Sequence, residues 1–226
     1  MPQEQVAKLK KRQWFQIIAP KQFENVVLGE TLVYEPQAMM GKTLSHNLMN
    51  LTSDPKKQNI NIHFKIVEVQ GDKGITSIIG YEIVPSSVKR FVRRNSEKMD
   101  LSFTCETADN VSVRVKPLVI TKADVKGSVA AKMRNLIVQF LIKSIKKMSY
   151  DGVVNDLISH KIQSLMRENF YKMYPLKVCE IRYFGVEQRE HQQEAKAEDA
   201  KVEVEQAKTE EAQPEAKEEV KAEVKE

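Results

Sequence analysis

The residues best suited to chemistry in this sequence are cations that lie next to aromatic side chains. Lys10, Lys11 and Arg12 come just before Trp14 near the start of the chain. Lysine and arginine bind phosphate groups, and an indole ring can stack on an unpaired RNA base. We therefore assign these four residues to a candidate RNA-binding set. We expect the Trp14 ring to pack mainly in the core, so that the three cations do most of the binding.

A second cation cluster surrounds a Phe-Val pair. Lys89 and Arg90 precede this pair, and Arg93 and Arg94 follow it. At helical spacing the four cations share one broad face, while the neighbouring apolar residues pack inward. Four like charges within two turns repel one another unless an anion lies beside them. The pattern therefore favours a phosphate-binding face over a merely solvated one.

Further cations lie along a longer predicted helix in the second half of the chain. They fall largely off the apolar stripe of that helix. Their positions are Lys132, Arg134, Lys143, Lys146 and Lys147. Two interpretations fit equally well, a surface that binds RNA phosphates and a solvated helix face.

The motifs typical of enzymes and metal sites are missing from the sequence. Gly41-Lys42-Thr43 resembles the end of a phosphate-binding loop, but Pro36 stands where that motif needs its first glycine. The two cysteines form no CxxC pair, and no two of the four histidines lie within one helical turn. We predict no catalytic residues, no bound metal and no cofactor, and hence a protein that is not an enzyme.

The charge is distributed unevenly along the 226 residues. The net charge of the whole chain is +5, but residues 187–226 contain 14 acidic and 7 basic residues. Residues 1–186 therefore have 29 basic and 17 acidic residues, a net charge of +12. Such a basic body attracts polyanions, of which nucleic acid is the commonest. The alternative is a basic solvated surface without a partner.

Composition divides the chain into three parts. The first is a flexible basic arm and the last an acidic, low-complexity tail, which we expect to be disordered or transiently helical. Between them lies a globular body that is rich in strands, then helical, then closed by a final strand. The predicted ranges are 1–13 for the arm, 14–186 for the body, 14–120, 121–174 and 176–186 for its three segments, and 187–226 for the tail. The tail either solubilises the protein, or shields the basic body or contacts a basic partner.

Hydrophobic periodicity predicts an α+β fold with a largely antiparallel sheet or barrel-like domain and packed C-terminal helices. Residues 59–70 alternate well until the phase slips at Val67, which indicates either a bulge or a strand buried on both faces, and residues 71–74 form a hairpin turn. Residues 44–52 are predicted as a strand, and Pro117 is expected at a sheet edge or strand end.

Three helices and a short basic one complete the predicted elements. The short one covers residues 86–95, with a serine at position 86 or 87 as N-cap. A helix of about 25 residues begins near Thr121, with Asp124 in its first turn, and Asp151-Gly152 breaks it. Two further helices follow before Pro175.

The location of the protein is also predicted from the sequence. The N-terminus has no apolar core typical of a signal peptide, and no apolar run reaches the roughly 20 residues of a membrane-spanning helix. We expect a soluble cytoplasmic protein that does not bind membranes. Cys105 and Cys179 are accordingly expected to be reduced and buried.

Several stretches, in order, are similar to a known family of archaeal and eukaryotic small-subunit ribosomal proteins, S3Ae or eS1. The resemblance extends over roughly residues 8–186 and excludes the tail. The stretches that carry it are residues 10–14 (KKRQW), Ala19-Pro20, residues 29–33 (GETLV), 64–66 (FKI), 69–71 (VQG), 92–94 (VRR) and 174–176 (YPL).

The resemblance implies a fold, a place and partners. It implies a barrel-like β domain with packed helices on the platform of the small ribosomal subunit, near the messenger exit. The implied partners are small-subunit rRNA, neighbouring small-subunit proteins and mRNA near the exit site. The expected function is that of a structural, rRNA-binding, ribosome-associated constituent. The alternative is an extraribosomal RNA-binding regulator or chaperone.

Overall fold

The described part of the chain begins at Lys11 and ends at Glu187 in this computed structural model. Most of the predicted arm, including Lys10, and nearly all of the predicted acidic tail lie outside the described residues. The flexibility of both segments therefore remains a prediction. The strands and helices given below all belong to residues 11–187.

Nine strands form a single sheet. They are β1 (Gln13–Ile18), β2 (Val27–Val33), β3 (Thr43–Asn47), β4 (Ile60–Gln70), β5 (Lys73–Ile83), β6 (Lys98–Asp100), β7 (Phe103–Glu106), β8 (Ser112–Thr121) and β9 (Leu176–Val186). The main path through the sheet runs β2-β1-β5-β9-β8-β6, with β3 and β4 branching from β5 and β7 branching from β8. Only the β1–β5 pairing is parallel.

The predicted α+β class with a largely antiparallel sheet is confirmed, but the predicted barrel is wrong. The main path ends at β2 on one side and at β6 on the other, and these two strands do not pair. A barrel requires the first and last strands to share hydrogen bonds, so this sheet stays open. Helices pack against the open sheet instead: α5 contacts β9, and α3 contacts β7.

The longest hairpin follows the sequence pattern closely. Along β4 the side chains of Ile60, Ile62, Phe64 and Ile66 are all buried, because alternate residues of a strand face the same side. The register with β5 shifts between Ile66 and Glu68, which confirms the predicted bulge. The turn that joins the strands contains Gly71 with a φ of +59°, a conformation that glycine adopts without strain.

Five α-helices accompany the sheet within the described residues. They are α1 (Leu48–Thr52), α2 (Pro85–Phe91), α3 (Gly127–Ile145), α4 (Tyr150–Ile158) and α5 (Lys161–Tyr171). Short 3-10 turns occur at Lys21–Phe23, Pro36–Met39 and Pro55–Lys57. The packed C-terminal helices expected from periodicity are confirmed, since Met133, Ile137 and Leu141 of α3 are fully buried.

The predicted strand over residues 44–52 is wrong in its second half. The chain leaves β3 at Asn47, whose side-chain oxygen accepts a hydrogen bond from the backbone N–H of Met49 at 2.9 Å. This N-cap satisfies a donor that the first helical turn leaves free, and so starts α1 at Leu48. An apolar run this short does not distinguish a strand from a helix by its pattern alone.

The long helix is shorter than predicted and begins later. α3 has 19 residues and starts at Gly127, so Asp124 lies before the helix and outside its first turn. The residues between β8 and α3 are held to the rest of the protein by hydrogen bonds. The Thr121 hydroxyl donates to the carbonyl of Ala123 at 2.6 Å, and the Tyr174 hydroxyl donates to the carbonyl of Asp124 at 3.0 Å.

Two smaller expectations are also corrected. Asp151-Gly152 does not separate helices but lies in the first turn of α4, because Ser149 caps that helix through the N–H of Gly152 at 3.3 Å. Pro117 is neither at an edge nor at a strand end, since β8 pairs with β9 on one side and with β6 and β7 on the other. The proline is tolerated there because the β8–β9 register shifts at this position.

Candidate nucleic-acid interface

The helix that carries the second cation cluster is shorter than predicted. α2 spans Pro85–Phe91, and Pro85 occupies its first turn, where a missing N–H costs nothing. The predicted serine N-cap is therefore wrong. Ser87 instead lies buried inside the helix, where its hydroxyl accepts a hydrogen bond from Nη2 of Arg90 at 2.8 Å.

The four cations of this region are all exposed, but they do not share one helical face. Lys89 and Arg90 lie in the last turn of α2, whereas Arg93 and Arg94 follow the helix end. Val92, which we expected to pack inward, is 38% exposed because the chain is extended there. We refer to Lys89, Arg90, Arg93 and Arg94 as the α2 basic cluster.

The members of the α2 basic cluster differ in what they contact. Arg90 is tied to the body, since its Nη2 also donates to Oδ1 of Asn59 at 3.2 Å. Lys89, Arg93 and Arg94 form no ion pair within 4.0 Å with any carboxylate of residues 11–187. Their charges are thus available to an external anion.

Trp14 lies on the surface, contrary to the expectation that it packs in the core. Its side chain is 66% exposed, because β1 buries the alternate residues Phe15 and Ile17 and turns Trp14 outward. Across the strand pair it lies opposite Leu32, which is 40% exposed. The sequence does carry a signal for this orientation, because the polar residue Gln16 has the same parity along the strand as Trp14 and is also exposed.

A second exposed ring lies close to Trp14. Tyr34 is 52% exposed, and the guanidinium of Arg12 sits 5.0 Å from the centre of its ring. The outer surface of the β1–β2 pair thus presents two aromatic rings, an aliphatic side chain and a cation. We refer to Arg12, Trp14, Leu32 and Tyr34 as the aromatic strip. The neighbouring Lys11 is exposed as well.

The cations of α3 are exposed, with one exception. Lys132 and Lys143 are exposed on α3, and Lys146 and Lys147 are exposed just after its end at Ile145. Arg134 is half-buried and forms an ion pair with Glu97, with Nη2 and Oε1 3.0 Å apart. The five residues, which we call the α3 basic face, therefore include one cation that is already neutralised.

Three cations missing from the predicted set lie near Lys89. Lys98, Lys116 and Arg182 line the same surface pocket as Lys89, although they belong to three different strands. The sequence shows that each of these cations lies on the polar side of a strand, because an apolar residue stands next to it. Their proximity is not visible in the sequence, because it depends on which strands pair.

Burial shifts the pKa of several side chains beneath the helices. It raises the pKa of the Cys105 thiol to about 11 and that of Cys179 to about 12, and both cysteines are free and buried, as expected. Burial also raises the pKa of Glu180 to about 7 and lowers that of His160. Nδ1 of His160 lies 3.8 Å from Oε2 of Glu180, and Cys179 adjoins Glu180 in β9. Residues 11–187 nevertheless contain no group of three or more potential metal ligands.

The fold and its surface define a class of protein, a basic α+β protein whose exposed cation clusters suit a polyanion. The sequence profile of the ribosomal S3Ae family matches residues 2–190 of the chain. The chain therefore belongs to the ribosomal S3Ae family, which confirms the resemblance seen in the sequence. None of the helices within residues 11–187 has the length and apolar character needed to cross a membrane.

Individual archaeal relatives support the same assignment. Three of them are called small ribosomal subunit protein eS1. The relative from Saccharolobus islandicus is 32% identical over 77% of this chain and 84% of its own length. The relative from Halorubrum lacusprofundi is 29% identical over 84% and 88%, and that from Methanothrix thermoacetophila 28% identical over 80% and 85%.

Proposed function

We propose that the protein is a structural constituent of the small ribosomal subunit and binds rRNA through its basic surface clusters. Family membership and the names of the relatives support the ribosomal role. The observation that supports RNA binding most directly is the α2 basic cluster, in which three exposed cations have no carboxylate partner among residues 11–187. Such a protein supports translation by shaping the subunit and performs no chemistry of its own.

The unpaired charges give the proposal its physical basis. Like charges crowded within six residues repel one another, and the repulsion is relieved when phosphates approach. Each phosphate neutralised releases condensed counterions, so binding becomes strongly dependent on salt. Contacts of this kind position a protein on RNA without reading its sequence. They therefore suit a structural role at a fixed place in a particle.

The aromatic strip adds a second kind of contact. Its two exposed rings can stack on unpaired bases, which in RNA are found in loops, bulges and ends. Arg12 and Lys11 would bind the phosphates that flank such bases. We assign the strip to rRNA, so that Trp14 takes part in binding through its ring as well as through its cationic neighbours.

Protein neighbours in the subunit form the other class of proposed partner. Leu165, Tyr171 and Met173 are exposed on or just after α5, away from the two RNA-binding regions in sequence. Apolar side chains in contact with solvent are typical of protein interfaces. We place the protein in the cytoplasm as part of the ribosome, with mRNA near the exit site as a further proposed contact.

Sedimentation of cell lysate on a sucrose gradient tests the proposed function. The protein should travel with small subunits and resist a modest salt wash. The variant with Lys89→Ala, Arg93→Ala and Arg94→Ala should be incorporated less, while the control with Lys143→Ala, Lys146→Ala and Lys147→Ala should behave like the wild type. Arg90 is left intact because it holds Ser87 and Asn59.

Two outcomes of the gradient would contradict the proposal. Recovery of the wild-type protein mainly at the top of the gradient would favour an extraribosomal RNA-binding regulator or chaperone. Normal incorporation of the Lys89, Arg93 and Arg94 variant into small subunits would show that the α2 basic cluster does not contact rRNA, even if the protein is ribosomal.

A further inference from the structure

A basic pocket of about 390 Å³ lies beside α2 and the strands β5, β6, β8 and β9. Its volume is at the lower end of the roughly 300–1,000 Å³ typical of small-ligand sites. The residues that line it are Glu82, Ile83, Pro85, Val88, Lys89, Lys98, Lys116, Arg182 and Tyr183.

A bulge brings two consecutive side chains of β9 into this pocket. Tyr183 pairs with Lys116 of β8, but Pro117 pairs with Ile181, so Arg182 is the extra residue. In a regular strand Arg182 and Tyr183 would face opposite sides of the sheet. The extra residue changes the direction of the strand, which allows both side chains to reach the pocket.

The pocket carries a positive charge. Its lining includes Lys89, Lys98, Lys116 and Arg182, against a single carboxylate, Glu82. The nearby Asp100 neutralises part of this charge, since its Oδ2 lies 3.0 Å from Nζ of Lys98 and 3.2 Å from Nη1 of Arg182.

The remaining cations are free to bind an anion. Lys89 and Lys116 form no ion pair with a carboxylate of residues 11–187. The only carboxylate in the lining, that of Glu82, is already in contact with Nε2 of His63 at 3.2 Å. An incoming phosphate would thus meet two uncompensated ammonium groups.

Tyr183 holds one of these cations in place. Nζ of Lys116 lies 4.8 Å from the centre of the Tyr183 ring, a distance typical of a cation–π contact. The ring reaches this position only because residue 185 is glycine. A Cβ atom at Gly185 would lie 2.7 Å from the Tyr183 hydroxyl, closer than two such atoms can approach.

The lining combines cations with apolar groups in a way that suits a nucleotide. Ile83, Pro85 and Val88 contribute apolar surface next to the lysines. A free phosphate would use only the cations, whereas a nucleotide has a flat base for the apolar part and a phosphate for the charged part. The volume admits one such unit, and a double helix is too wide to enter.

We propose that this pocket receives a single unpaired RNA nucleotide, with its phosphate between Lys89 and Lys116 and its base against the apolar surface formed by Ile83, Pro85 and Val88. The proposal rests on the proposed rRNA binding and names the structural element of the RNA that is recognised. Unpaired nucleotides can turn out of a helix and enter a protein pocket, whereas paired ones cannot.

Binding of two RNA hairpins to the full-length protein tests this proposal. One hairpin has a fully paired stem, and the other has the same stem with a single bulged nucleotide. Fluorescence anisotropy at about 150 mM salt should show at least about fivefold tighter binding of the bulged hairpin, as expected for one accommodated base. A third hairpin, with an abasic bulge, should lose most of this preference.

Two variants identify the pocket as the source of the preference. Lys116→Gln removes one unpaired cation and should lower the preference by about threefold or more. Gly185→Ala displaces the Tyr183 ring and should act in the same direction, with a thermal melt to verify that the variant is folded. The matched control Lys177→Gln removes an exposed cation of β9 that does not line the pocket and should leave the preference unchanged.

The possible failures are distinguishable. Equal binding of paired and bulged hairpins, or equal weakening of both by Lys116→Gln, would overturn the pocket proposal and leave rRNA binding intact. Failure to bind any hairpin would overturn both proposals. Polyglutamate serves as a probe for an acidic protein segment. If it binds the wild type more tightly than the Lys116→Gln variant and displaces no RNA, the pocket binds an acidic protein segment and the nucleotide proposal is wrong.

Discussion

The α2 basic cluster and the α3 basic face contain the same types of residue, but the α2 basic cluster has four cations within residues 89–94 and the α3 basic face has five spread over residues 132–147. In the α2 basic cluster Lys89, Arg93 and Arg94 have no carboxylate within 4.0 Å in the described chain, and Lys89 also borders the cationic pocket. On the α3 basic face Arg134 is paired with Glu97, whereas Lys132, Lys143, Lys146 and Lys147 also have no carboxylate within 4.0 Å in residues 11–187. Lys146 and Lys147 follow the end of α3 at Ile145. The difference is therefore the pocket, which Lys89 lines and the α3 basic face does not.

This difference explains why charge alone does not identify an RNA-binding surface. A solvated lysine on the outside of an amphipathic helix loses little by staying in water, so its presence carries little information. Cations that gather at a helix end beside a pocket experience one another's field and gain more from an incoming phosphate. We therefore expect α2, and not α3, to dominate RNA binding.

The largest effect should come from removing the cations of each region in turn. Alanine at Lys89, Arg93 and Arg94 should weaken binding of an rRNA fragment by about tenfold to a hundredfold near 0.1 M salt and reduce the slope of log affinity against log salt by about 2. Alanine at Lys143, Lys146 and Lys147 should change affinity by less than about threefold. Equal losses in a titration series at several salt concentrations would erase the distinction between the two regions.

Removal of the Trp14 ring should give the next largest effect and extend the comparison to the aromatic strip. Trp14→Ala should weaken binding of single-stranded RNA by about tenfold, as expected for one lost stacking partner. Its free energy of unfolding should change by less than about 0.5 kcal/mol, because the ring is exposed.

The adjacent residue of the same strand supplies the control for Trp14. Phe15 is 2% exposed, so Phe15→Ala should cost roughly 3–5 kcal/mol in a urea titration. If Trp14→Ala instead destabilises the fold as strongly as Phe15→Ala, the ring has a structural role and the stacking assignment fails.

A change of pH should separate stability from binding. Burial raises the pKa of Glu180 to about 7, partly opposed by Arg167, so the folded state holds a proton that the unfolded state releases near pH 4.5. Between these values the folded protein binds more protons, and stability falls as pH rises, by about 1–2 kcal/mol from pH 5 to 8.

The matching variant removes the titration. Glu180→Gln should flatten the dependence of the unfolding free energy on pH and leave the difference between α2 and α3 in RNA affinity unchanged, since lysine and arginine stay charged from pH 5 to 8. The lowered pKa of His160, whose Nδ1 lies 3.8 Å from Oε2 of Glu180, acts in the opposite direction in both proteins. If the wild type and Glu180→Gln show the same dependence of the unfolding free energy on pH, Glu180 is not buried as the structure has it.

The smallest effect should come from freeing Arg134 on the α3 basic face. Glu97→Gln removes the carboxylate 3.0 Å from the guanidinium, which should cost about 0.2–1 kcal/mol of stability because the pair is exposed to solvent. The freed cation should raise RNA affinity by about twofold. A variant in which affinity rises tenfold would mean that ion pairing alone makes α3 differ from α2.

Much of the fold follows from local pattern. Hydrophobic periodicity predicts the alternation along β4, the bulge at Val67 and the amphipathic stripe of α3. The hairpin turn depends on the conformational freedom of Gly71. All four features are set by residues close together in the sequence. The errors occurred where an apolar run was short, as at α1, and where one hydrogen bond decided the boundary, as with Ser149 at α4.

The sequence by itself determined the basic body, the α+β order and the family of this chain. Composition, hydrophobic periodicity and the order of motifs depend only on which residues follow one another along the chain. Only the tertiary structure decided that the sheet stays open, and that among residues 11–187 Arg134 has a carboxylate partner while Lys89 has none. It also joined Lys89, Lys98, Lys116 and Arg182 in one pocket. These facts depend on strand pairing and register, which bring together residues as far apart as Gly80 and Gly185, a separation of 105 positions along the chain.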